Sequence, residues 1–350
     1  MADNPEAASE NAEISPLRVF IAGGTTGVGF VLARQLSALG MRVTATTDQG
    51  SQGAYALRAV GALPVYPDLT RISALYSVLT MAQADVVINA VTQVVNGLPQ
   101  QPRPWRADAE RIEKSTQALV EAAGQAGVRR IIHLSMASAY GDRGGATITE
   151  ETALSQSNPL YQAAARAEAA ALDGAIPAYV LRAGYVYGGH SEVSKSIYDQ
   201  MTVSRAVKKG AGVAGWVHED DLAGVVHLLV EKPFAEDEPL ETIYNVVDDQ
   251  PATPDQFIMA LGEAMGIGQP QMSGFGFSLR SPDPIWLGLL NDAAIPDGSK
   301  VRAELAWTPR YADRSAGIEA MMRTWRAAEA PTEPAALPEP TPSDKLALPS

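Results

Sequence analysis

The sequence predicts an α/β fold, a doubly wound parallel sheet with a smaller C-terminal lobe. Three observations point to it. Strand-like and helix-like segments alternate from residue 17 to about residue 188. The first strand runs through a glycine-rich turn straight into an amphipathic helical pattern, all within residues 17–39. The chain has 350 residues with 46% hydrophobic content, enough to bury a full α/β core and one elaborated lobe.

After the first apolar run, residues 42–47 read as the second strand and 62–69 contain the third. Residues 84–92 give the fourth, 128–138 the fifth and 177–188 the sixth. Alanine-rich helical periodicity fills 110–127 and 161–174, and each pattern ends on a glycine, Gly127 or Gly174, suited to a C-terminal cap. From about residue 189 the pattern turns irregular, with Gly/Pro-rich connections over 268–286, as expected of a lobe that selects a substrate. The expected organisation is a flexible extension over 1–15 and a sheet domain over 16–188, to which residues 213–250 return. The smaller lobe takes most of 189–327, and a Pro/Ala/Glu-rich tail occupies 328–350, either solvated or a docking segment.

The glycine-rich turn also indicates a ligand. Gly23, Gly27 and Gly29 stand where a side chain would obstruct a tight turn, the approach of a pyrophosphate to the backbone, or the packing of helix on strand. The following helix, with Val28 in its first turn, presents unpaired N–H groups and a positive dipole end to an anion. Together these features predict a dinucleotide site. A net charge of −13 argues against nucleic acid or an anionic membrane as partner, and no apolar run is long enough to span a bilayer. With no cysteine and four scattered histidines, no metal site is expected, and a cytoplasmic location is.

The order of motifs resembles the extended and atypical branches of the short-chain dehydrogenase/reductase superfamily, the Rossmann-type group that contains NAD-dependent nucleotide-sugar epimerases and dehydratases. The resemblance covers residues 17 to about 326. It rests on the glycine turn, PDLT (67–70), SMASAYGD (135–142), LRAGYVYGG (181–189), WVHEDDLAGVV (216–226), IYNVVDD (243–249) and AELAWTPRY (303–311). It implies hydride chemistry at a carbonyl or hydroxyl carbon of a small-molecule substrate, with a nucleotide-sugar-like compound in view by analogy. It also implies a homodimer formed through the helices over 110–124 and 161–172. The family's usual glycine spacing, G-x-x-G-x-x-G, places Gly24 and Gly27 in register and leaves Phe30 out of it.

Cofactor residues follow from strand ends. Asp48, one residue past the position of the usual acidic group (Thr47), favours NAD by repelling a 2′-phosphate; Arg58 or Arg71 would serve NADP, the alternative. Asp68, beside Leu69, either accepts from an adenine amino group or caps a helix beginning near Thr70. Asn89 and Ala90 either admit a ribose or simply pack. Tyr185 and Tyr187 either line a nicotinamide pocket or pack, and Asp220 and Asp221 read as a structural turn. In the loop over 96–108, Arg103, Trp105 and Arg106 either clamp a substrate or form a surface. Lys208 and Lys209 either meet a phosphate or end a solvated helix.

The catalytic pattern departs from the family. The resemblance makes Tyr161 the acid/base tyrosine, which also contacts the cofactor. The lysine expected four residues later is Ala165, with Arg166 about 100° further round the helix; the Ser/Thr position is Met136, flanked by Ser135 and Ser138; and the Asn position is Ile112. Two functions follow. Either Tyr161 works with Ser138 or Ser135 in a rearranged oxidoreductase site, or the chain is a catalytically silent dinucleotide-binding subunit that meets a protein partner.

Overall fold

The computed structural model describes residues 16–48, 52–94, 96, 98, 104–203, 206–208, 210–268, 270–273 and 284–329. Its main sheet has seven parallel strands: β1 (Arg18–Ala22), β2 (Arg42–Thr46), β3 (Leu63–Val65), β4 (Val86–Asn89), β5 (Arg130–Met136), β6 (Ala178–Ala183) and β7 (Glu241–Val246). Their spatial order is β7-β6-β5-β4-β1-β2-β3. The order reverses between β1 and β4, so a crevice opens outside the carboxyl ends of these strands, where open α/β sheets bind ligands.

Side chains alternate across the sheet with the two-residue period of a strand. Val19, Ile21, Ile88 and Leu134 join one core with helices α1 (Gly27–Ala38) and α7 (Glu219–Glu231). Phe20, Ala22, Val87 and Ile131 join the other. That second layer contains α3 (Ile72–Ala82), α4 (Trp105–Ala126) and α5 (Pro159–Leu172); α2 (Gln52–Ala59) lies on the first. The outward row of α4 is polar, with Glu110, Lys114, Gln117 and Glu121 exposed.

Helix ends obey local chemistry. Gly127 closes α4 in the left-handed conformation at φ 74°. Gly174 does not cap α5, which stops at Leu172 with Asp173 as its cap. At the other end of α5, Pro159 occupies the first turn and the Asn158 side chain accepts from the Leu160 and Tyr161 amides, both at 3.0 Å.

The sixth predicted strand is two strands. A side chain on Gly184 would meet the Gly215 carbonyl oxygen at 2.6 Å, and here the chain leaves the sheet, so that Tyr185–Tyr187 pairs with Trp216–His218. Beyond it lie α6 (Glu192–Val203), α8 (Pro254–Ala264), α9 (Pro284–Asn291), α10 (Ser299–Leu305) and α11 (Arg314–Glu329), whose buried residues join the same two cores as the sheet. No described helix is long and apolar enough to cross a membrane.

The seam between α11 and the sheet contains a buried acid. Asp248 follows β7; its Oδ1 accepts from the Gln250 amide at 2.9 Å, while its Oδ2 stands 3.9 Å from Arg314 and has no hydrogen-bond donor. Burial pushes its carboxyl up to about 7, against the pull of the Gln250 amide and Arg314. Because the folded state holds this proton and an unfolded carboxyl near 4 does not, the associated stability is present below pH 4 and is lost as pH rises to 7. Asp248→Asn, which cannot ionise, is expected to gain about 2 kcal/mol on the wild type between pH 5 and pH 8. Thermal melts across that range check this; a melting difference that does not vary with pH would refute it.

Candidate active site

The glycine turn forms the floor of the crevice. Gly23 takes φ 83°, and a side chain there would meet the backbone of Ala90 and Val91 at 3.0–3.1 Å. Thr26 is the N-cap of α1: its hydroxyl accepts from the Gly29 amide at 3.1 Å and donates to the Gly23 carbonyl at 2.8 Å. A side chain on Gly29 would stand 2.0 Å from that same carbonyl. The three-residue glycine register is therefore Gly23, Thr26, Gly29, which corrects the Gly24, Gly27, Phe30 reading. Gly27 is required by a different neighbour, the His190 carbonyl oxygen, which a side chain would meet at 2.7 Å.

A cleft of about 290 Å³ lies over this turn. Its walls include Thr26, Gly27 and Val28 at the α1 N-terminus, Thr47 and Asp48 after β2, and Pro67 and Leu69 after β3. Arg111 of α4 also borders it, paired with Asp108 at 3.0 Å, and supplies a cation that the sequence reading missed. The signal was weak, since Arg111 is one of several charged residues on an exposed helical row. These residues fit a dinucleotide: glycine backbone and helix amides for the pyrophosphate, a carboxylate for a ribose, and an apolar ledge for a base.

Other candidates fall around the cleft. Asp68 closes a turn by accepting from the Thr70 amide (2.9 Å) and hydroxyl (2.7 Å), and it does not border the cleft. The Asn89 side chain is turned inward, donating to Thr116 at 2.9 Å and accepting from the Val91 amide at 3.2 Å; Ala90 is buried behind Gly23. Arg58 bonds the Tyr66 hydroxyl and Arg71 precedes α3, so neither borders the cleft. Trp105 is buried at the start of α4 while Arg106 is exposed, which separates the two as a clamp. Arg103 and Lys209 lie outside the described residues, as does the side chain of Lys208. Asp221 accepts from the Arg310 (2.6 Å) and Tyr311 (3.0 Å) amides and Asp220 from Gln35, both structural roles.

At the reaction end, Tyr161 is fully buried in the first turn of α5, and its hydroxyl donates to Asp292 Oδ2 at 2.9 Å. Arg166, which follows the Ala165 that the sequence reading puts at the lysine position, pairs with Glu113 at 2.8 Å. Burial, then the negative charge around it, pushes the Tyr161 phenol well above its usual range, so it keeps its proton. Ser138 lines a small cavity of about 20 Å³ with Tyr185 and Asp292, and its buried hydroxyl has no partner among the described residues. Tyr185 donates to the Leu289 carbonyl of α9, whereas Tyr187 packs on His218 and Phe257. Ser135 is not brought here: it donates to Glu168 at 2.5 Å inside the core. Asp292, a residue that sequence spacing gives no means to find, accepts from Tyr161 and lines the small cavity with Ser138 and Tyr185.

A model of the NAD-dependent epimerase/dehydratase family matches residues 19–246. The chain belongs to this family. A curated relative from a Streptomyces species, 3-diazoavenalumate denitrifying reductase, is 26% identical over 84% of this chain and 97% of its own length. Among solved structures, dTDP-glucose 4,6-dehydratase from Streptomyces venezuelae, crystallised with NAD, gives a TM-score of 0.72 at 19% identity over 89% of this chain and 97% of that one. UDP-glucose 4-epimerase from Thermotoga maritima, with UDP-glucose, gives 0.72 at 19% over 89% and 99%. In these last two the likeness is one of fold. As a family member the chain places its NAD crevice where β1 and β4 diverge, over the Gly23–Gly29 contact.

Gly29→Ala is expected to push α1 off β1 and to cost about 2–4 kcal/mol. Urea melts check the stability and NADH fluorescence the cleft; a variant of wild-type stability that still binds would refute the assignment.

Proposed function

We propose that the protein is an NAD(H)-dependent reductase whose tyrosine works as a fixed proton holder, without the ammonium group that makes this tyrosine an exchangeable base in relatives. The contact between Tyr161 and Asp292 supports this most directly. A phenol that donates to a carboxylate, with alanine at the lysine position, is built to stay protonated. The family membership supports the cofactor, and the Streptomyces relative, named as a reductase, supports the reaction class.

NADH, when bound, supplies a hydride. The chain's own residues do the rest. Gly23, Gly27, Val28 and Gly29 form the phosphate cradle, Arg111 offsets its charge, and Asp48 meets ribose hydroxyls and disfavours a 2′-phosphate. Ser138 offers an unpartnered hydroxyl to the acceptor, and Tyr161 holds its proton on the phenol oxygen toward Asp292.

One observation favours a second reading, a cofactor-binding subunit without turnover. With the α9 segment against Tyr161 and Tyr185, the reaction cavity has room for about one water. The two readings separate in one experiment on the purified full chain: titration with NADH and NADPH by fluorescence, then stopped-flow oxidation of the bound nicotinamide against a panel of acceptors. The reductase reading expects acceptor-dependent oxidation, and its absence across the panel leaves the subunit reading standing. The same titration is expected to show NADH about 10-fold tighter than NADPH. Asp48→Ser should close most of that gap; a preference unchanged by the substitution would remove Asp48 from the cofactor site.

A further inference from the structure

The wall of the reaction cavity has an unusual electrostatic make-up. Asp292 follows α9 directly and is held by its own amide on the Gly288 carbonyl (2.8 Å) and by the next amide, Ala293, on Asp142 (3.3 Å). A side chain on Gly288 would crowd the Tyr161 hydroxyl at 3.2 Å, so glycine lets this segment approach. The cavity is lined by Ser138, Tyr185 and Asp292 among small residues and, among the described residues, by no lysine, arginine or histidine. Nearby guanidinium groups are engaged elsewhere: Arg182 on Glu168 at 2.7 Å, Arg143 on the Tyr140 and Ala153 carbonyls, and Arg166 on Glu113. Among the described residues the charge nearest the tyrosine is therefore the Asp292 carboxylate, whose carboxyl burial pushes above its usual range while the Tyr161 hydrogen bond pulls it back.

We infer that Asp292 is a specificity-determining residue and that the preferred hydride acceptor is a cation, of the class of iminium and other cationic π-systems. This rests on the reductase reading. Reduction of a neutral carbonyl ends in an oxyanion to which Ser138 can offer its one hydroxyl, but the Tyr161 proton is already given to Asp292, and a carboxylate alongside disfavours a second anion. A cation has neither difficulty. The acceptor carbon of C=N⁺ gains the hydride, the π pair becomes the nitrogen lone pair, NADH becomes NAD⁺, and no proton moves. The total charge beside Asp292 is +1 before and after the step, so the carboxylate attracts the substrate without opposing its conversion.

The test reads binding and turnover separately. Calorimetry on the NADH-saturated full chain compares N,N,N-trimethylanilinium, which cannot be reduced, with neutral N,N-dimethylaniline at pH 7.5. The wild type is expected to prefer the cation at least 10-fold, and Asp292→Asn to abolish the preference. Tyr161→Phe, which releases the carboxylate from its hydrogen bond, is expected to keep or enlarge it, and serves should the first variant fail to fold. Turnover compares N-methyl-3,4-dihydroisoquinolinium with benzaldehyde, and the iminium is expected to be the better acceptor. Equal affinity in the wild type, a preference that survives Asp292→Asn, its loss in Tyr161→Phe, or faster reduction of the aldehyde overturns the inference. Failure of NADH to bind overturns the reductase reading itself, whereas Asp292-dependent cation binding without any oxidation overturns that reading and leaves the selectivity standing.

Discussion

The buried carboxylate of Glu168 is the interaction on which the reaction end depends. It accepts from Ser135 on β5 and from two nitrogens of Arg182 on β6, at 2.5–3.2 Å. Arg182 continues to the Tyr140 hydroxyl, which donates to Asn245 on β7 at 2.8 Å. One ion pair thereby ties three strands, helix α5 and the turn containing Ser138. Such a pair adds little net stability over well-packed apolar residues, but removing one partner strands a charge in the core, so the arrangement is held to one geometry. Tyr161 lies seven residues before Glu168, two helical turns away on the same face of α5. Where Glu168 is fixed, the phenol is fixed.

The same network explains which parts of the site were legible in the sequence. Six of the sheet's strands and the cofactor turn are written in local patterns: apolar runs of strand length, a helix entered through glycine, a carboxylate after β2. A backbone that turns at φ 83° and a helix that passes within contact of a carbonyl both demand glycine at known offsets, so the residue type reports the geometry. Counting in threes from Gly23 would also have found Thr26, an ordinary N-cap residue ahead of a helix.

Side-chain destinations were not legible, because they depend on partners far along the chain. Ser135 and Ser138 look equivalent in SMASAYGD, yet strand alternation and the 3₁₀ turn send one to Glu168 in the core and the other to the cavity. Asn89 turns its side chain inward to Thr116 and the Val91 amide, and Asp68 spends one oxygen on the Thr70 turn outside the cleft. Gly27 borders the cleft as the sequence reading has it, but it also faces a carbonyl 163 residues away, at His190, that no local pattern announces. Asp292 reaches Tyr161 across 131 residues, from a lobe whose sequence shows no periodicity to place it.

This division has a chemical consequence. Cofactor binding is set by backbone constraints within the sheet domain, whereas the character of the reaction is set where the second lobe presses a side chain against Tyr161. Under the proposed reading, with Ala165 at the lysine position, no ammonium stands by the phenol, and Asp292 accepts its hydrogen bond instead. A tyrosine flanked by an ammonium lends itself to losing a proton, while one that donates to a carboxylate holds its proton and shapes a site around negative charge. The missing tetrad members therefore need not mark a decayed version of the usual site. On the proposed reading the charge beside the acceptor is negative rather than positive, and a hydride transfer that requires no proton relay is the chemistry compatible with that sign.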